Sequence, residues 1–204
     1  MLKRILDWFY GIPWVFQKLR YWVLGGFDYG PAYQRLKVGE NDVVLDIGCG
    51  MGDSMKHLKN FRFYYGFDTD KRAIETFRKN HSAPNIILNN RICTAADIQQ
   101  LQPTKCVLIG LVHHINDDDA RALLQSLAAN TQLQGTVTLD TVFVPGRWLS
   151  NMFAAADRGR HVRTTEQYRQ LFASAGMDVQ EEFWIVSGIG ARYLGVLLQR
   201  KKQP

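Results

Sequence analysis

The stretch from Val43 to Asp70 constrains the fold more than any other part of the chain. Val43-Val44-Leu45-Asp46-Ile47 is an apolar run of strand length broken by one acid. Gly48-Cys49-Gly50-Met51-Gly52 follows it, with glycines at alternate positions. A second run, Tyr64-Tyr65-Gly66-Phe67, closes on Asp68-Thr69-Asp70. Near-continuous apolar runs are the mark of strands covered on both faces. A glycine loop at the end of one turns the chain into a helix. Open α/β sheets bind ligands outside the carboxyl ends of their strands. The stretch therefore predicts strand, tight loop, helix and next parallel strand, with Asp68 on the binding edge.

The rest of the chain continues this alternation. Apolar runs predict further strands at 84–88, 106–111, 136–144, 179–186 and 192–199. Helical periodicity predicts helices at 53–59, 71–80, 117–130 and 164–174. Asp70 or Thr69 is placed to cap the helix at 71–80, and Thr164 or Thr165 that at 164–174. Residues 95–101 read as a loop or helical turn, and 147–163 as irregular or partly helical. Strand-helix alternation makes the fold α/β with a mostly parallel sheet. The last two strands are joined through Gly188 and Gly190 with no helix between them. They predict a hairpin, and hence an antiparallel strand at one edge.

Residues 1–37 form a distinct leader before a main domain at 38–204. Leu2, Ile5, Leu6 and Phe9 recur at helical spacing, and Pro13 suits the first turn of a second helix. Trp8, Trp14 and Trp22 lie here beside Lys3, Arg4, Lys18 and Arg20. Two readings follow. The leader is a helical cap over a pocket of the main domain, or an amphipathic basic helix in contact with a membrane. No stretch reaches the ~20 apolar residues of a spanning helix. Asp7, Lys18 and Arg20 interrupt any secretory signal. The expected location is cytoplasmic, or peripheral on a membrane. With 204 residues the chain buries a core without staples. Its net charge of +6 favours anionic partners, but the basic residues are too scattered for a nucleic-acid footprint. Cys49, Cys93 and Cys106 lie in or beside apolar runs with no CxxC. They predict buried thiols in a reducing compartment, with neither a disulfide frame nor a zinc site.

The loop Asp46-x-Gly48-x-Gly50-x-Gly52 departs from the dinucleotide fingerprint G-x-G-x-x-G. Its third glycine comes one residue early, and an acid precedes the glycines. A carboxylate there repels a pyrophosphate and suits a cationic group, such as an amine or a sulfonium. Asp68, about twenty residues on, is placed to take both hydroxyls of a ribose. The pair predicts a nucleoside with a cationic tail. The plainer alternative is that the three glycines only shape a tight turn.

Val44-Leu45-Asp46-Ile47-Gly48-Cys49-Gly50-Met51-Gly52 resembles the first motif of the class I S-adenosylmethionine-dependent methyltransferases. Tyr65-Gly66-Phe67-Asp68 resembles their second, acidic motif. Leu108-Ile109-Gly110-Leu111-Val112-His113-His114-Ile115 resembles the fourth-strand motif of members acting on small molecules. The likeness spans about residues 40 to 200. It implies a Rossmann-like, doubly wound sheet of seven strands, mostly parallel, with an antiparallel last strand. It implies S-adenosylmethionine as cofactor. Asp46, Gly48, Cys49, Gly50 and Gly52 would hold its methionine part, and Asp68 with Thr69 its ribose. Asp97 is the candidate partner of the adenine amino group, with Cys93-Thr94 as the alternative place.

His113 and His114 follow the fourth strand at its carboxyl end. A neutral imidazole there is a candidate general base. Methyl transfer is helped chiefly by alignment and desolvation, so a base is optional, and the histidines have a packing role as the alternative. The segment from Asp157 to Thr164 is dense in arginine. Its Asp-Arg-Gly-x-x-Val-Arg-Thr pattern before a Glu-x-Tyr helix resembles a branch of bacterial methyltransferases. Arg160, His161, Arg163 and Tyr168 are candidates for holding an anionic acceptor. Equally, the basic side chains can pair with Asp157 or Glu166 and order the loop. The expected activity is methyl transfer to an oxygen, nitrogen or carbon of a small or lipid-like acceptor. The rivals are a non-catalytic or membrane-bound module that keeps the cofactor, and a nicotinamide oxidoreductase, against which Asp46 argues.

Overall fold

The computed structural model describes residues 28–157, 159–188 and 190–201. The two helices expected at the start of the leader lie outside the described residues. From the leader the structure describes helix α1 (Gly30–Arg35), which opens with Pro31 in its first turn.

Strands β1 (Val43–Ile47) and β2 (Phe63–Phe67) coincide with the two apolar runs and pair in parallel, with Asp46 opposite Gly66. The remaining strands are β3 (Ile86–Asn89), β4 (Lys105–Ile109), β5 (Gly135–Phe143), β6 (Arg163–Thr164), β7 (Met177–Val186) and β8 (Arg192–Arg200). The main sheet runs β3-β2-β1-β4-β5-β8-β7, and the two-residue β6 pairs with the end of β5. Strands β1 to β5 are parallel, and β8 is antiparallel to both of its neighbours. The antiparallel strand is therefore interior, and not at the edge as the hairpin alone suggested. Composition explains the exchange. Tyr193, Leu194, Val196 and Leu198 of β8 are buried, whereas Asp178, Gln180 and Glu181 keep much of β7 in water. The more apolar strand takes the inner place. Gly195 lets it in: a Cβ there would lie 2.2 Å from the Phe183 ring.

Alternation along β1 divides the core into two layers. Leu45 faces Leu108, Leu124 and Phe172, a cluster closed by α3 (Ala95–Leu101), α4 (Asp117–Ala129) and α6 (Thr165–Ser174). Val44 faces Tyr64, Ile74 and Phe77, a cluster closed by α1, α2 (Lys71–Asn80) and α5 (Trp148–Ala156). Two elements differ from their sequence expectation, and a third sharpens it. After the glycine loop the chain makes only a 3-10 turn (Asp53–Lys56), not a helix to residue 59; Asn60 has φ 54°. Residues 95–101 are a full helix, because Thr94 and Asp97 form a reciprocal capping box at its start. Residues 148–156, within the stretch expected to be irregular or partly helical, form helix α5. Among the described residues no helix is long and apolar enough to cross a membrane.

Candidate active site

The carboxyl ends of β1, β2 and β4 meet at one edge of the sheet, and the glycine loop bends across them. Gly48 and Cys49 both donate their amides to the carbonyl of Phe67, tying the loop to the end of β2. Gly48, Gly50 and Gly52 have φ of 79°, 55° and 89°, a region that favours glycine. Gly52 is doubly required, since a Cβ there would come within 2.7 Å of the Phe77 ring.

A cavity of about 790 Å³ opens beside this loop. Ile47, Gly48, Phe67, Asp68, Thr69, Ile92 and Cys93 line one part, and Gly110, Leu111, His114, Ile115 and Leu123 the other. The Asp68 carboxylate accepts from the Gly50 amide at 2.9 Å and from the Asp70 amide at 2.8 Å. One side chain thus joins the glycine loop to the end of β2. Burial pushes the Cys93 thiol up to about 12, so it meets the cavity as a neutral group. A second cavity, of about 150 Å³, lies on the other side of the loop. Tyr29, Tyr33, Cys49, Gly50, His113, Thr141 and Tyr193 are among its walls, and it shares Gly48, Gly110 and His114 with the first. A Cβ on Gly50 or Gly110 would meet nothing within 4 Å, so bare backbone faces open space at both places.

Asp46 lines neither cavity. Its carboxylate is buried and accepts from the Tyr64 hydroxyl at 2.6 Å. The same hydroxyl lies 2.9 Å from Ser54 Oγ. Burial pushes the Asp46 carboxyl up to about 6, against the two hydroxyls that draw it down. Asp97 also stands apart from both cavities. It accepts from Thr94 as part of the cap and takes two bonds of 2.6 Å from Arg91. Those bonds hold its carboxyl well below the usual range. The place expected for Asp97 at the cavity wall is taken by Ile92 and Cys93, the latter within the alternative pair named from sequence.

The histidines differ from one another. His114 is exposed and lies at the junction of the two cavities, with its ring 4.2 Å from that of His113. His113 is buried. Its Nδ1 lies 2.7 Å from Asp140 Oδ1, and its Nε2 lies 3.3 Å from Asp157 Oδ1. Burial works to lower the His113 pKa, but the two carboxylates outweigh it and hold it up at about 9. With no other cation present the ring carries a proton at neutral pH, which removes it as a ready base.

The described residues of the arginine-dense segment fold onto His113, and none of them lines either cavity. The His161 amide donates to the His113 carbonyl at 3.0 Å. Gly159 lies against the ring, and a Cβ there would be 2.2 Å from His113 Cδ2. Arg163 is buried. It donates to the carbonyls of Val112, Ile115 and His161 and pairs with Asp117, not with Asp157 or Glu166. Tyr168 is buried as well and donates to the Thr141 carbonyl at 3.0 Å. Arg163 and Tyr168 are thus engaged with backbone carbonyls of the fold and line neither cavity. Arg160 is exposed, and neither it nor His161 lines a cavity. Asp140, Tyr29, Tyr33 and Tyr193 were not picked out from sequence. Asp140 offers no signal beyond an acid inside an apolar strand, and only the fold brings the tyrosines together.

A family model described as a methyltransferase domain matches residues 44–135. Among curated proteins, none matches the chain. Solved structures match it in fold at low identity. One is a chain of the Haloferax volcanii complex between the Trm112 methyltransferase activator and a candidate methyltransferase: TM-score 0.64, 14% identity, 84% of this chain and 88% of that chain covered. A SAM-dependent methyltransferase of Methanosarcina mazei matches with TM-score 0.62 and 14% identity, over 86% of this chain and 100% of that one. Human N-acetylserotonin methyltransferase, solved in complex with SAM, matches with TM-score 0.60 and 16% identity, over 84% of this chain and 51% of that one.

Proposed function

We propose that the chain is a class I S-adenosylmethionine-dependent methyltransferase and that it methylates an oxygen, nitrogen or carbon of a small or lipid-like acceptor; the matching methyltransferase-domain model and the shared fold support this reading. Its methyl donor is S-adenosylmethionine. The cavity walls suit that donor. They combine a carboxylate at a strand end, apolar side chains for a flat base and glycine backbone with room beside it. When bound, the donor supplies an electrophilic methyl group on a sulfonium.

The observation that carries the reading is Asp68. Its carboxylate lines the larger cavity and is held by the Gly50 amide, which orients it for a ribose diol. Thr69 flanks it, and Ile92 and Cys93 form a wall for adenine. Gly48, Cys49 and Gly50 border the second cavity, on the side of the methionine part, with Gly52 closing the turn. Asp46 acts from behind the loop, through Tyr64 and Ser54. The acceptor approaches through the second cavity, where Tyr29 and Tyr33 support a capping role for residues 1–37. His114, at the junction, is the better placed of the two histidines to meet the acceptor. His113 holds the turn that presents it. Arg160 and His161 are left to the outer approach of an anionic acceptor.

Calorimetry with S-adenosylmethionine tests the assignment. The wild type is expected to bind, and Asp68→Ala to weaken binding sharply. Absence of binding by the wild type, or an Asp68→Ala variant that binds equally well, contradicts it. Binding of NAD in the same cell would favour an oxidoreductase instead.

A further inference from the structure

Two carboxylates, from β5 and from the end of α5, converge on the ring of His113, with the His114 ring alongside. One ligating atom each from His113, His114 and Asp157 lie within 4.8 Å of one another. We propose that these three side chains form a binding site for a divalent first-row transition ion, at the wall of the second cavity.

The donor set points to that class of ion. Two imidazoles and one carboxylate suit zinc, iron and their neighbours, whereas magnesium and calcium prefer all-oxygen sites. Three protein ligands also leave a coordination position open, as catalytic metal sites do. The geometry of His113 agrees. Asp140 Oδ1 holds Nδ1 at 2.7 Å, which fixes the ring and presents Nε2 to Asp157. A carboxylate behind a ligating histidine is the usual outer support of a metal site. The separation of Nε2 and Asp157 Oδ1 is 3.3 Å. That is the edge of a tetrahedron around an ion with bonds of about 2.0–2.1 Å. The ligating nitrogen of the exposed His114 lies within 4.8 Å of the other two donors.

A second observation supports a cation here. Asp140 Oδ2 is buried and has no hydrogen-bond partner, which is costly for a carboxylate. A metal-bound imidazole donating Nδ1–H keeps positive charge beside that buried carboxylate, as a protonated ring does. His113 and His114 both line the second cavity, so the open position faces the acceptor side. An acceptor hydroxyl bound there would lose its proton to solvent more readily, because the ion stabilises the oxyanion. The site therefore favours an oxygen acceptor.

The test is metal binding by the untagged full-length chain, stripped with chelator and titrated with Co²⁺, followed by calorimetry and visible absorbance. One Co²⁺ per chain is expected, with ligand-field bands, and no comparable signal from Mg²⁺. His114 is exposed, so His114→Ala spares the fold while removing a ligand. Asp140→Asn is expected to lower Co²⁺ affinity by about 10–100-fold, and His114→Ala and Asp157→Asn by more. His81→Ala, remote from the cluster, is expected to bind as the wild type does. Absence of stoichiometric binding, or binding unchanged by both His114→Ala and Asp157→Asn, overturns the proposal. The measurement uses neither cofactor nor turnover, so it fails or succeeds separately from the methyltransferase assignment.

Discussion

At the scale of single residues, the arginines of the 157–164 segment divide by environment. Arg163 satisfies three backbone carbonyls and Asp117 from a buried position. Arg163→Met leaves those acceptors without a donor and is expected to destabilise the protein by about 2–3 kcal/mol in urea unfolding. Arg160 is exposed, and Arg160→Ala is expected to stay within about 0.5 kcal/mol of wild type. Equal effects of the two changes would contradict the division. Asp46 carries a pH signature. Its folded pKa of about 6 lies above the ordinary 3.8, so the native state binds the proton more tightly than the unfolded chain. The contribution is therefore full below pH 4, falls as pH rises towards 6 and is flat above that, with a span on the order of 3 kcal/mol. Asp46→Asn should gain Tm relative to wild type between pH 4 and pH 7. A difference independent of pH would exclude the raised pKa. Side-chain roles of this kind were the least legible part of the sequence. The carboxylate of Asp46 was expected to face the ligand, yet strand alternation turns it towards Tyr64. Arg163 reads as a ligand-binding cation until the fold brings Val112 and Ile115 beside it.

At the scale of elements, a few local signals decide much of the site. Thr94 and Asp97 cap α3, and the Arg91 pair reinforces the cap. Asp97→Ala is expected to cost about 1 kcal/mol of stability and to leave cofactor affinity unchanged. A large loss of affinity would restore Asp97 to the adenine site. The loop after α5 is a brace for the turn that carries His113 and His114. Gly159→Ala forces that loop off the His113 ring. Since a misplacement of about 1 Å can cost roughly 10²-fold in rate, turnover is expected to fall steeply with cofactor binding retained. Parallel losses of both would show that the brace supports the whole edge. The strands were legible because burial on both faces leaves continuous apolar runs, and β1 and β2 coincide with theirs. Helices α3 and α5 were not fully legible. Seven residues are too few for periodicity to speak in α3, and the polar faces of its capping box resemble a loop.

At the scale of the whole molecule, the sheet order places the two cavities side by side, with the glycine backbone at Gly48 and Gly110 in the walls of both. The parallel α/β class was readable from alternation alone. The inward placement of β8 was not, because it depends on which hairpin strand buries more apolar surface. Every described residue lining the larger cavity lies at Ile47 or beyond. With Asp68, Ile92 and Cys93 as the walls that hold the nucleoside, deleting residues 1–27 is expected to leave cofactor affinity unchanged by calorimetry, and a strong loss would assign part of the cofactor site to the leader. The most direct test of the central claim is a crystal structure of the chain soaked with S-adenosylhomocysteine. The account predicts the nucleoside in the larger cavity, its ribose hydroxyls on the Asp68 carboxylate and its sulfur beside Gly48 and Gly110. Density for the nucleoside anywhere else, or a ribose with no contact to Asp68, would contradict it.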